Sequence, residues 1–582
     1  MKGELLVHWQ DAYKRWTNFS DLDADLKTQL QEIEKDETVL EDSFYKHLEF
    51  GTGGMRGIIG PGTNRMNTYT VRKAAEGLAR YIDEEGETAK QRGVVIAYDS
   101  RHRSEKFAFE AAKTLGQHGI QTYVFESLRT TPELSFAVRY LHAFSGIVIT
   151  ASHNPSPYNG FKVYGSDGAQ FASEDADVIV EKVNSVENEL TIPVGDYQTL
   201  LDEGLLTMIG EKVDQAYLAN VASLSIQPEM IKEMANDLRI VYTPLHGTGN
   251  RPVREGLAKI GFNHVAVVKE QEEPDPDFST VKQPNPEEAA AFELAIQYGE
   301  KTKADILLAT DPDTDRVGVA VRDAAGTYEM LNGNQIGALL VHYLINEKEK
   351  REKLASNAAV LKTIVTSELG SEIARAHGLT SIDTLTGFKY ISEKIKEFET
   401  TGEHKFLIGY EESYGYLIGD FVRDKDAVQT CLIIAEAAAH HKRNGMTLID
   451  VLHRLYETYG FYQEGLESLT LDGRAGVEKI AAIMDDFRSN PPERLAEKDV
   501  LVREDYANSK RIFVRDNQEE TIQLPTSNVL KYKLDNGAWF CIRPSGTEPK
   551  IKFYFGVKEA SKESSSHALH HLKQAVMSKV KA

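Results

Sequence analysis

The stretch Gly146-Ile-Val-Ile149-Thr150-Ala-Ser152-His153-Asn154-Pro155 is an apolar, β-branched run that breaks directly into a polar loop. Two later stretches repeat the pattern. Asp305-Ile-Leu-Leu-Ala309 leads into Asp311-Pro-Asp313-Thr-Asp315-Arg316, and Lys405-Phe-Leu-Ile408 leads into Glu411-Glu412-Ser413-Tyr414. Working outward from each, two further strand-like runs precede the one that carries the loop. They are Val94-Val-Ile-Ala-Tyr98 and Thr122-Tyr-Val-Phe125 in the first set, and Leu238-Arg-Ile-Val-Tyr242 and His264-Val-Ala-Val-Val268 in the second. The third has Ala359-Val-Leu-Lys-Thr-Ile-Val365 and Ser381-Ile-Asp383. A helix-length gap follows the first strand of every set, which is the signature of an α/β architecture. Ligands of open α/β sheets bind beyond the carboxyl ends of the strands. Three related α/β domains, each presenting one loop, are therefore expected. The pattern changes near residue 458. Two strand-like runs, Ala538-Trp-Phe-Cys-Ile542 and Ile551-Lys-Phe-Tyr-Phe555, flank Arg543-Pro-Ser545-Gly546-Thr547, and a helix is expected over 560–581. This reads as a fourth, α+β domain. The expected boundaries are 1–210, 211–325, 326–457 and 458–582.

The chain has 582 residues, about four domains' worth at roughly 150 residues each. Acidic residues outnumber basic ones by 89 to 67, a formal charge of −22. Nucleic acid and anionic membrane surfaces are poor partners for such a chain. An anionic small molecule remains possible where basic residues gather locally. Cys431 and Cys541 are the two cysteines, which rules out a disulfide framework and suits a reducing compartment. The first ten residues have no signal-peptide core, and no run reaches the roughly 18 apolar residues of a membrane span. A soluble, cytoplasmic protein is expected.

Asp311, Asp313 and Asp315 place three hard oxygen donors at alternate positions, a pattern suited to a divalent cation. An EF-hand would need glycine and glutamate where Arg316 and Arg322 stand. Ser152 lacks the G-x-S-x-G elbow of hydrolases. With a cation near Ser152 and with Lys162 downstream, phosphoryl transfer is more natural than acyl transfer. Arg543, Ser545 and Thr547 combine a guanidinium, hydroxyls and Gly546-permitted backbone N–H groups, which suits a phosphate dianion. Arg56 lies in a glycine-rich loop that is not a Walker motif. Glu411 and Ser413 offer sugar-hydroxyl chemistry, and Lys389 is a further cation.

A serine loop, a carboxylate triplet, a hydroxyl-binding loop and a phosphate loop, in that order, resemble the α-D-phosphohexomutase family over nearly the whole chain. The resemblance implies three related α/β domains and a fourth of the TATA-box-binding-protein-like type around one cleft. It implies that Ser152 is the phosphoserine, with His153, Arg56 and Lys162 in the catalytic group. It also implies that Ser152, Asp311, Asp313 and Asp315 hold one Mg²⁺. Arg316, Lys389, Glu411, Ser413, Arg543, Ser545, Gly546 and Thr547 would bind substrate. The sugar loop departs from the Gly-Glu-x-Ser-Gly-His of simpler members, since Tyr414, Gly415 and Tyr416 follow Ser413. That feature and the long N-terminal region are similar to the subgroup holding long bacterial phosphoglucomutases and phosphopentomutase-like enzymes. The implied activity interconverts glucose 1-phosphate and glucose 6-phosphate, with glucose 1,6-bisphosphate as activator and intermediate. Mannose or pentose phosphates are alternative substrates by the same mechanism, and a metal-dependent sugar phosphatase is an alternative activity. Small-molecule sugar phosphates are the expected partners.

Overall fold

The structure, a computed structural model, describes residues 9–51, 53–171, 173–471, 473–545 and 550–581. It divides into two compact units. The first comprises Met1–Gly333, Ser392–Gly402 and Ser413–Thr447, and the second comprises Asn334–Ile391, Glu403–Glu412 and Leu448–Ala582.

The first unit holds two sheets. One contains β1 (Gly54–Ile58), β2 (Val94–Tyr98), β3 (Thr122–Phe125), β4 (Ser145–Ile149), β5 (Tyr158–Tyr164) and β6 (Leu206–Ile209), in the order β1-β5-β4-β2-β3-β6. The other contains β7 (Ile240–Thr243), β8 (Val265–Val267), β9 (Ile306–Thr310), β10 (Val317–Arg322) and β11 (Tyr328–Leu331), in the order β11-β10-β9-β7-β8. β2, β4, β7 and β9 are buried at every position, as parallel strands covered on both faces must be. Both sheets share one core order, with the third strand beside the first and the first beside the second.

β4 runs antiparallel to β5, and β9 runs antiparallel to β10. The Ser152 and Asp311 loops are therefore hairpin tips. β5 is hidden in the sequence because Tyr158-Asn-Gly-Phe-Lys-Val-Tyr164 mixes polar, glycine and aromatic residues without alternation. β1 is hidden likewise inside what the sequence presents as a glycine-rich loop.

In the second unit, β12 (Ala358–Thr363), β13 (Thr380–Thr384) and β14 (Lys405–Glu411) repeat the core order as β13-β12-β14, all parallel. β15 (Gly415–Leu417) belongs to the first unit. The C-terminal sheet contains β16 (Phe461–Thr470), β17 (Arg494–Leu495), β18 (Lys498–Asp505), β19 (Lys510–Phe513), β20 (Gln518–Thr521), β21 (Leu530–Leu534), β22 (Trp539–Pro544) and β23 (Lys550–Glu559). Its order is β16-β23-β22-β21-β18-β19-β20, with β17 beside β18, and its pairings are antiparallel. Helices Gly473–Ser489 and Lys562–Lys581 close one face. Met484, Phe487, Leu572 and Val576 pack there on Phe540, Ile542, Phe553 and Phe555. This is the α+β fourth domain, with more strands than the two that its apolar runs revealed. Lys531 Nζ is buried and donates to Ile364 O at 2.5 Å, tying this sheet to the loop after β12.

Residues 9–44 form helices Trp9–Thr17, Ala24–Ile33 and Glu37–Phe44 in the first unit. Trp16 is their anchor. Its ring meets Phe44 and Tyr69 edge-on at 5.8 and 5.4 Å, and its indole N–H donates to Glu189 at 2.8 Å. No described helix is long and apolar enough to cross a membrane.

His118, which ends helix Ser104–Gln117, bridges two carboxylates of helix Thr68–Glu85. Nε2 lies 2.8 Å from Glu76 and Nδ1 2.7 Å from Asp83. The Glu76 hydrogen bond raises the His118 pKa; burial opposes it and Asp83 adds to it. A raised histidine pKa contributes stability that is complete below the unfolded value of about 6.5 and lost as pH rises through the folded value. His118→Asn should therefore destabilise the protein by on the order of 1 kcal/mol at pH 5.5 and by less at pH 9. Thermal melts of both proteins at the two pH values measure this, and an equal loss at both would show that the imidazolium contributes nothing.

Candidate active site

The serine loop leaves β4 at Thr150 and returns along β5. Gly160 is needed where β5 passes β4, because a Cβ there would stand 2.5 Å from Thr150 O. Ser152 has a left-handed backbone, φ +52°. Its N–H donates to Thr150 Oγ1 at 2.8 Å. Its hydroxyl lies 3.2 Å from His153 Nδ1 and donates to Asp311 Oδ2 at 2.8 Å. Burial holds His153 well below the usual histidine value, with the charges of Arg316 and Arg56 adding to the effect, so its ring is neutral at pH 7. Arg56, on β1, donates to Asn154 Oδ1 at 2.8 Å.

Asp311, Asp313 and Asp315 occupy the β9–β10 tip and are buried, each offering a carboxylate oxygen within 4.8 Å of the others. Asp311 Oδ1 accepts from the backbone of Asp315 and Arg316 at 3.1 and 3.0 Å. Lys162 Nζ, from β5, stands 2.8 Å from Asp313 Oδ2 and 3.7 Å from Asp315. Lys425 Nζ stands 3.0 Å from Asp315 Oδ2. Burial, reinforced by Asp313 and Asp315, drives Asp311 well above the ordinary carboxylate range. Burial also opposes charge on Asp313, but Lys162 outweighs it and the pKa falls. Lys162 itself is raised, since Asp313 and Asp315 overcome its burial.

These residues fit a divalent cation. Asp313 Oδ1 and Asp315 Oδ1 are buried without a hydrogen-bond partner, an expensive arrangement for carboxylate oxygens unless a cation accepts them. The donor set is all oxygen, the preference of hard cations. The chain thus carries a metal-binding site in the first unit.

Several contributors to the site were not found from sequence. Lys425 is one. Thr131 is another, since its N–H donates to Asp313 O at 2.9 Å and its hydroxyl to Asp313 Oδ2 at 3.0 Å. Thr248 donates to Pro312 O from both N–H and hydroxyl at 2.8 Å, and Gly247 lets Pro312 pack against it, since a Cβ there would stand 2.4 Å from Pro312 Cα. The turn Thr243-Pro-Leu-His-Gly-Thr-Gly249 after β7 was the available signal for the last two.

Arg316 forms an ion pair with Glu287 in the first unit. Ser413 is also in that unit, followed by Tyr414 with φ +62°. In the second unit, Glu411 is buried and its Oε1 accepts from Gly387 N at 2.9 Å. Glu412 accepts from the hydroxyls of Thr363 and Thr366 at 3.1 and 3.0 Å. Lys389 Nζ sits 4.9 Å from the centre of the Tyr390 ring. Arg543 lies on β22 opposite Lys552, and Ser545 N donates to Lys550 O at 2.7 Å. Gly546 and Thr547 lie outside the described residues.

Four family descriptions match in order. Phosphoglucomutase/phosphomannomutase alpha/beta/alpha domains I, II and III match residues 47–190, 215–326 and 332–459, and the C-terminal domain matches 469–566. The phosphoglucomutase of Staphylococcus haemolyticus is 40% identical over 535 residues, covering 92% of this chain and 94% of its own. That of Staphylococcus aureus strain MSSA476 is 41% identical over 522 residues, covering 89% and 91%. Among solved structures, a putative phosphomannomutase from Thermus thermophilus has a TM-score of 0.67 at 23% identity, covering 92% of this chain and all of its own. The open form of pp63/parafusin, a phosphoglucomutase from Paramecium, has a TM-score of 0.69 at 16% identity, covering 92% and 95%. The two solved structures share the fold, while the domain matches and the staphylococcal sequences carry the kinship, so the chain belongs to the phosphoglucomutase/phosphomannomutase family.

Proposed function

We propose that this enzyme is a phosphoglucomutase that interconverts α-D-glucose 1-phosphate and D-glucose 6-phosphate by way of a phosphorylated Ser152 and glucose 1,6-bisphosphate. The observation that carries the reading is the Ser152 hydroxyl, aimed at Asp311 from 2.8 Å within a buried group of three carboxylates and flanked by Lys162. A serine so placed suits a phosphoryl carrier. Phosphoryl transfer asks the protein chiefly for positioning and charge stabilisation.

Asp311, Asp313, Asp315 and a phosphoryl oxygen on Ser152 would hold one Mg²⁺, which supplies a Lewis acid that draws charge from the phosphoryl group. Lys162 keeps its proton and offers a fixed positive charge beside Asp313. Arg56 and Arg316 add positive charge, and His153 orients the serine hydroxyl. Glu411 accepts hydrogen bonds from sugar hydroxyls, with Ser413 and Lys389 assisting. Arg543, Ser545, Gly546 and Thr547 grip the phosphate that is not reacting. A grip built from charge and backbone donors accepts either end of the sugar, which lets the bisphosphate turn around. The cytoplasm is the compartment we assign; Cys431 and Cys541, both buried and free, suit it.

The test is a coupled assay that follows isomer and free phosphate together across glucose, mannose, glucosamine and ribose 1-phosphates. Rapid isomerisation of glucose 1-phosphate without phosphate release is the expected result, and steady phosphate release would overturn it. Glucose and mannose differ at carbon 2 and share the hydroxyls at carbons 3 and 4. If Glu411 reads the shared pair, Glu411→Gln should lower kcat/KM for both sugars by similar factors, about 1–3 kcal/mol. A change of more than about tenfold in the glucose-to-mannose ratio, some 1.4 kcal/mol, would show that Glu411 senses carbon 2.

A further inference from the structure

Ser152 holds a left-handed backbone, which a non-glycine residue keeps only where its surroundings enforce it. One side chain from the neighbouring turn grips the loop at Ser152 and beyond it. Arg101 lies just past β2, in Asp99-Ser-Arg101-His-Arg103. Its Nη2 donates to Ser152 O and Asn154 O, both at 2.5 Å. Its Nη1 donates to Pro155 O at 2.9 Å and Tyr158 O at 3.1 Å. Four carbonyls, from the serine to the first residue of β5, thus converge on one guanidinium. Arg101 is 3% exposed. Its Nε stands 3.3 Å from Asp99 Oδ2, and the Phe278 ring lies against it at 4.9 Å. Asp99 is held in turn by Arg101 N at 2.9 Å and Ser104 Oγ at 2.7 Å. A lysine could supply the charge but not the planar fork that reaches several carbonyls at once.

We propose that Arg101 is a positioning residue for the phosphoryl-transfer step. It clamps the serine loop so that Ser152 Oγ stays directed at Asp311, and it sets turnover without touching the substrate. The proposal rests on the reading of Ser152 as the phosphoryl carrier. A residue that only supported the fold would lower thermal stability and leave the kcat of the folded protein unchanged.

Arg101→Lys separates these roles in the full-length enzyme with Mg²⁺. Its kcat for glucose 1-phosphate should fall about thirty- to a hundredfold, the scale of a displaced reacting group, while KM stays within about threefold. Phosphate uptake by dephosphorylated protein from glucose 1,6-bisphosphate should slow by the same factor. A kcat within about threefold of wild type would overturn the proposal, and so would a KM that rises as far as kcat falls. If Arg101→Lys does not fold, Phe278→Leu carries the test, because it uncovers the guanidinium and leaves its donors in place. An unchanged kcat there would overturn the proposal, and a loss of about three- to tenfold at constant KM would support it. A wild-type enzyme that never carries phosphate on Ser152 would overturn the underlying reading, and the proposal with it. An active, phosphorylated wild type beside an unaffected Arg101→Lys would overturn the proposal alone.

Discussion

Ser152→Ala should lose mutase turnover by at least about a thousandfold, roughly 4 kcal/mol of barrier, while remaining folded. The expectation follows from what the hydroxyl is asked to do. The two side chains that meet the hydroxyl are otherwise engaged, since His153 turns Nδ1 toward the serine itself and Asp311 belongs to the carboxylate group. The structural consequences are smaller. Alanine meets the same left-handed backbone as serine, and Asp311 loses one hydrogen-bond donor, a loss of about 1–3 kcal/mol in a buried setting. Activity should therefore fall far more than thermal stability. Retention of more than about a tenth of the wild-type rate, under 1.4 kcal/mol of barrier, would mean that Ser152 is not the carrier.

Asp313→Asn should raise the Mg²⁺ concentration for half-maximal activity by at least about tenfold, or 1.4 kcal/mol. Asp313 puts its two oxygens to different uses. Oδ2 already receives Lys162 at 2.8 Å and Thr131 at 3.0 Å, whereas Oδ1 is buried and unpartnered. An amide in its place removes the charge that both a cation and Lys162 require. Breaking one side of a buried ion pair is destabilising by about 3–5 kcal/mol, so the variant should also melt lower than wild type. Mg²⁺ should raise the melting temperature of wild type more than that of the variant, because binding to the folded state stabilises by mass action. Chelation should abolish wild-type turnover, and full activity in excess chelator would sink the metal assignment.

The parallel strands were legible because burial on both faces demands unbroken apolar runs, and Val94–Tyr98 and Ile306–Thr310 are such runs. The strands that were missed obey other constraints. Gln518–Thr521 is exposed at every position, so its residues carry no burial pattern to read. Tyr158–Tyr164 is largely buried but spends its positions on Gly160, which admits Thr150, and on Lys162, which reaches Asp313. The site shows the same division. Ser152 and the three aspartates stood out because chemically unusual residues sit close together in the chain. Thr131, Arg101 and Lys425 did not, because each is an ordinary residue whose meaning lies in a distant partner. Thr131 meets Asp313 across 182 positions of sequence, and Arg101 meets Ser152 across 51. Pattern reading has no access to such pairs, although the turn after each strand is where they cluster.

The most direct test of the account is to follow the phosphate itself. Purified protein is incubated with glucose 1,6-bisphosphate labelled in its phosphates, freed of ligand, digested and mapped by mass spectrometry, then chased with unlabelled glucose 1-phosphate. One labelled phosphate per chain is expected, on the peptide holding Ser152, with its transfer during the chase into glucose bisphosphate and glucose 6-phosphate. Label on any other residue, or label released as inorganic phosphate with none passed to sugar, would contradict it.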